Sequence, residues 1–206
     1  MRKRFIVVGL LTLIIIVGAI TARFVRVSGF STRAQPTWVE RVTARTVRQW
    51  AVPQRMRQTI NPVTFSPDVW AEARAHFADH CATCHANDGS GDPEMGRNLY
   101  PKAPDMRLAE TQRLTDGELY WIIENGVRLT GMPAWGSGGD NDTDSWKLVH
   151  FIRHLKDLTS AQIDDMKALN PKSPAELEEE RQDQDFLDGK APETPSETPS
   201  HHQHKE

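Results

Sequence analysis

The chain has 206 residues, 25 Lys and Arg against 28 Asp and Glu, and two cysteines. That length holds one domain or two small ones, and two cysteines are too few for a structural zinc site built from two Cys pairs. The net charge of −3 conceals an asymmetry: eight arginines from Arg23 to Arg57 face the single acid Glu40, whereas thirteen acids face five bases from Asp157 onward, so the folded part is expected in the middle.

Met1 to Arg4 is a basic start, followed by an uncharged aliphatic run from Phe5 to Ala22. Eighteen helical residues at about 1.5 Å each span roughly 27 Å, close to the hydrocarbon thickness of about 30 Å. The run exceeds an ordinary signal-peptide core, and its small-residue pair, Val17 and Ala19, lies inside it. Residues 1–22 are therefore read as a retained transmembrane signal anchor rather than a cleaved leader. Residues 23–65 are read as a basic linker, part helical. Val39, Val42, Thr46 and Trp50 recur at a helical interval there, with Arg41, Arg45 and Arg48 on other faces. Such a helix suits a lipid surface or a membrane partner, and equally a partly ordered tether.

Asn61-Pro62 and Ser66-Pro67 mark a new start. Ser66 is an N-cap, Pro67 takes the first helical position, and Asp68 suits the helix N-terminus. The helix is expected to run to about His80, with Ala73 and Phe77 on one face beside Trp70. It leads into Cys81-Ala82-Thr83-Cys84-His85, the attachment signature of a c-type haem. Residues three apart share a helix face, so both thiols reach one ring edge while His85 turns toward the metal. A thioredoxin-like pair needs a βαβ setting that the flanks lack, and a plain disulfide leaves His85 unexplained. Because haem c is attached outside the bacterial inner membrane, the motif also places most of the chain in the periplasm.

Residues 86–107, rich in Gly and Pro, are expected as a loop. A second helix is read from Thr115 or Asp116 to Glu124, stopped by Asn125-Gly126, and a third follows Asp142-Thr143-Asp144 and fades after Lys156. Such a core buries little by itself, so folding is expected to depend on the haem. Residues 158–206 read as an acidic, Pro/Ser/Thr-rich and mostly disordered tail, in which Ile163, Met166 and Leu169 allow a further turn or two of helix. His201, His202 and His204 are taken as ordinary residues of that end.

The second axial ligand is sought among Met95, Met106, Met132, His76, His80, His150 and His154. His80 adjoins Cys81 and cannot reach the opposite ring face, the other histidines lie on predicted helices, and Met95 and Met106 read as packing residues. Met132 stands forty-seven positions after His85, beyond a complete helix. Gly131 lets its backbone approach the ring, and Pro133 fixes the turn that presents its thioether.

Taken together, Cys-x-x-Cys-His, a helix ending in Asn-Gly, Gly-Met-Pro-Ala-Trp and a last helix with Phe151 resemble a class I cytochrome c domain over residues 66–157. The resemblance implies an all-α fold of three main helices and loops around one covalent haem c. It makes Cys81 and Cys84 the thioether residues, His85 the proximal ligand and Met132 the distal one. It also implies that Phe77, Phe151 and Ala73 form the first and last helix crossing, and that the carbonyl of Pro101 or Pro104 accepts from the proximal imidazole. The function expected is single-electron transfer by a membrane-tethered periplasmic cytochrome rather than an enzyme, with redox proteins as partners. Two rivals remain: the cytochrome subunit of a larger membrane oxidoreductase, and a haem enzyme or gas sensor with a labile Met132. No second haem motif, nucleotide motif or triad-like pattern is present.

Overall fold

The structure is a computed structural model that describes residues 2–29, 31–136 and 142–190. The end from Ala191, with its three histidines and its expected disorder, lies outside the described residues. Among the described residues there is no strand. The helices are α1 (Arg2–Ser28), α2 (Trp38–Ala51), α3 (Gln54–Arg57), α4 (Pro67–His76), α5 (Ala82–His85), α6 (Glu94–Asn98), α7 (Ala109–Gln112), α8 (Asp116–Asn125), α9 (Thr143–His154), α10 (Ser160–Lys167) and α11 (Pro174–Leu187). They divide into two compact units, Met1–Asn170 and Pro171–Glu206.

Within α1, the 24 residues Arg4–Val27 are long and apolar enough to cross a membrane, and none of the span is buried against the rest of the chain. Its aliphatic side chains stand exposed rather than packed into the core.

The crossing of α4 and α9 forms the centre of the packed body. Ser66 Oγ accepts from the Val69 amide at 3.2 Å, and Pro67 starts α4 where a missing N–H costs nothing. The Phe77 and Phe151 rings meet at 4.8 Å, with Trp70 on Phe151 at 5.2 Å and Ala73 buried beside them. The small Cβ of Ala73 lets the two backbones approach while the rings fill the flanks. Against α9, α8 packs by stacking Tyr120 on Trp146 at 4.1 Å. Arg153 ties the two by ion-pairing with Asp116 at 2.7 Å and donating to the Gln112 carbonyl at 2.9 Å.

The core also reaches beyond residues 66–157. Val52 and Met56 are buried in it, and Gly117 lies so close to α3 that a Cβ there would fall on the Met56 carbonyl oxygen. Asn61 Nδ2 donates to the Trp146 carbonyl at 2.9 Å, and His150 Nε2 lies 2.7 Å from the Val63 carbonyl. On the other side, Met166 of α10 is fully buried. Val52 and Met56 are isolated apolar positions in a polar stretch, which periodicity does not reveal, whereas Met166 lies in the Ile163, Met166 and Leu169 spacing that allows a short helix. In the second unit α11 buries no residue. Its capping box at Ser173 and Glu176 and its Arg181 pairs with Glu178 and Asp185 make it a charged, solvated helix.

Candidate cofactor site

The first helix does not run unbroken into the motif. Residues 77–81 widen into a π-turn, and the Ala82 amide donates to the Phe77 carbonyl five residues back. The extra residue rotates the register between the Phe77 face, which faces the core, and the face that carries Cys81. Cys84 and His85 follow in α5, which Ala86 ends with a left-handed φ of 59°. A non-glycine residue held there is strained, and the strain turns the chain sharply beneath His85.

The loop after the turn folds back on the motif. The Gly91 amide donates to the His85 carbonyl at 2.9 Å, and a Cβ on Gly91 would collide with the Ala103 and Pro104 carbonyls. A Cβ on Gly96 would collide with the Cys84 carbonyl oxygen. Two Asp residues clamp the far end of the loop: Arg107 pairs with Asp88 at 2.7 Å and with Asp105 at 2.8 Å. Arg107 holds the Asp105 carboxyl below its ordinary range by hydrogen bonding to it. Sequence reading does not find this clamp, because Asp88 and Arg107 are nineteen positions apart in a stretch without periodicity.

Of the two loop prolines, it is Pro104 whose carbonyl acts on the His85 ring and favours its protonated form. Burial opposes this and is the larger effect, so the imidazole is kept neutral, the form that binds a metal. Nδ1 is buried and makes no hydrogen bond of full geometry, an orphan that suits a ring still to be seated by ligation. Burial pushes the Cys81 thiol up to about 12, with Cys84 a second cause, and burial also raises Cys84. Neither thiol is in a disulfide.

Met132 is half-buried in a loop fastened to the end of α8. The Val127 amide donates to the Met132 carbonyl at 3.1 Å, and the Met132 amide donates to Thr130 Oγ1 at 3.1 Å. The Trp135 amide donates to the Ile123 carbonyl at 3.1 Å. Gly126, with φ of 63°, ends α8 where a Cβ would strike the backbone of 132–134. Gly131 lies against the Leu99 side chain, so the segment 96–99 touches both the Cys84 carbonyl and the Met132 loop.

The other sulfurs and imidazoles have different occupations. Met106 is buried in the core and Met95 stands more than half exposed on α6. His76 and His80 pair at 4.7 Å, with His80 also against Trp135 at 5.4 Å. His154 Nδ1 lies 2.7 Å from the His150 carbonyl, and its ring stacks on Phe65 at 5.2 Å. Cys81, Cys84 and His85 are residue types that fit a covalently attached haem, and the Met132 thioether is carried on a loop held at the end of α8.

Residues 68–152 match the model of the family described as cytochrome c oxidase, cbb3-type, subunit III. No curated protein matches the chain.

Proposed function

We propose that the protein is a membrane-tethered, periplasm-facing carrier of single electrons, because the family match over residues 68–152 supports a monohaem c-type cytochrome domain and haem-based electron transfer. In this reading the anchor is residues 1–22 and the cytochrome domain 66–157. Cys81 and Cys84 would hold one haem c by thioether bonds, and His85 and Met132 would ligate its iron. Bound haem supplies the one-electron couple of its iron.

The protein's part is to hold and orient. His85 is seated neutral beside the Pro104 carbonyl, and the fastening of 127–135 to α8 limits the excursion of the Met132 thioether. If His85 and Met132 both held the iron they would leave no position for a substrate, which is why a carrier is preferred to an enzyme or sensor. The observation that carries the reading is the loop that Gly126 and Gly131 press into place around Met132.

The test is substitution at Met132, read in the weak sulfur-to-iron charge-transfer band of the oxidised protein and in carbon monoxide binding when reduced. Met132→His is expected to stay low-spin at a lower potential, because it removes a soft ligand that favours ferrous iron. Met132→Ala is expected to lose the band and bind carbon monoxide, whereas Met95→Leu and Met106→Leu keep the band. A band that survives Met132→Ala rules out the assignment.

The matched family favours a second reading, that the chain is the cytochrome subunit of a larger membrane oxidoreductase. A stoichiometric partner retained after mild detergent extraction would select it over the free carrier.

A further inference from the structure

We propose that α2 is a membrane-surface helix whose Trp38, Val39, Val42 and Trp50 side chains enter the headgroup region of an anionic bilayer, holding the cytochrome domain at a set height and tilt. The proposal rests on the tethered reading of α1.

At 100° per residue, positions 38, 42, 46 and 50, with 39 beside them, form one stripe along α2. Trp38 is 69% exposed and Trp50 79%, and Val39 and Val42 are each more than half exposed. Thr46 in the stripe is half-buried while the four apolar side chains stay exposed, and the helix is tied to the rest of the chain by polar side chains. Glu40 accepts from the Tyr100 hydroxyl at 3.1 Å, and Arg45 pairs with Glu110 at 3.3 Å. Arg48 lines a cleft against Arg113 and Glu118. A capping box at Thr37 and Glu40 fixes the start of α2, and the buried Val52 and Met56 fix the chain just beyond its C-terminus. The helix cannot roll its apolar stripe inward without breaking these contacts.

Chemistry and chain length select the occupant. Tryptophans at both ends of the stripe, with arginines along one edge, match the bilayer interface, where an indole ring is half wetted and a guanidinium meets phosphate. Arg41 has no acidic partner among the described residues, and α2 carries three arginines against one glutamate, a charge that anionic headgroups complement. Only residues 29–37 separate α1 from α2, a reach of about 30 Å at full extension. The bilayer that holds α1 is therefore present to α2 at high effective concentration, so even a weak surface affinity keeps the helix down.

The test uses the full-length haem-loaded protein in nanodiscs of phosphatidylcholine, alone or mixed with phosphatidylglycerol, and measures backbone hydrogen exchange over residues 38–51. Exchange is expected to slow roughly tenfold in the anionic discs, the protection that about 1.4 kcal/mol of docking gives. Trp38→Ser with Trp50→Ser, and separately Arg41→Glu, should each remove the difference. Unchanged exchange over 52–59 and an unchanged haem spectrum would show that these variants are folded. Equal exchange in the two bilayers overturns the proposal, as does protection that appears only when a membrane protein fraction is added, the sign of a protein groove instead. A chain that does not enter the discs overturns the tethered reading and this proposal with it.

Discussion

Cys81 and Cys84 occupy different surroundings although they are three residues apart. The Cys81 thiol is the deeper of the two, pushed up to about 12, while Cys84 lies nearer the surface at the turn into the loop. Both variants, Cys81→Ala and Cys84→Ala, should weaken or abolish the haem band on a denaturing gel, and the double variant should lose it. Cys81→Ala should also lower the melting temperature more, because the Cys81 side chain packs against the core. Haem that washes out of the unmutated chain under denaturant would overturn the covalent assignment. At this scale the motif was legible because chemistry fixes its spacing. The choice of Pro104 over Pro101 was not, since it depends on how a 22-residue loop folds back through Gly91 and Gly96.

Glycine positions decide the junctions between elements. Gly117→Ala would drive a methyl into the Met56 carbonyl, separating α3 from α8, at an expected cost near the upper end of about 1–3 kcal/mol. Chemical denaturation would show it with the haem spectrum retained, because Gly117 lies in the first turn of α8 and the Met132 loop is fastened to its other end. Gly126→Ala should cost about 1–2 kcal/mol for its left-handed backbone alone. It should also weaken the sulfur-to-iron band by displacing 132–134, an effect that Gly117→Ala lacks. The Asp88–Arg107–Asp105 clamp gives a pH signature. Asp105 is held below its ordinary 3.8, so it adds stability above that pH and the contribution fades as the pH falls through its lowered pKa. Arg107→Ala should cost about 1 kcal/mol at neutral pH, since the pair is partly screened by solvent, and should flatten the loss of stability below about pH 4. An acid titration of wild type and variant, followed by circular dichroism, measures this.

For the whole molecule, the anchor and the haem domain should separate cleanly. A chain beginning at Arg23 is expected to be soluble with an unchanged haem spectrum, while the full chain partitions with membranes through Phe5 to Ala22. Intact mass showing a mature chain that starts after Ala19 or Ala22 would establish cleavage instead. Folding is also expected to require haem. Haem would add apolar mass to a small helical core, so protein made without haem should show weaker near-ultraviolet dichroism and a broader thermal transition.

The sequence by itself determined what is set by short-range chemistry: the haem motif, the N-cap at Ser66, the start of the last helix after 142–144, the stop at Asn125-Gly126, and the apolar run of α1. Each is read over a few residues, where spacing and backbone preference act alone. Only the tertiary structure decided that Val52 and Met56 belong to the core, that Met166 is buried in it too, and that Arg45 and Glu40 pair with Glu110 and Tyr100. These depend on pairings across dozens of residues, in which one buried side chain in a polar stretch leaves no periodic trace until its partner is in place.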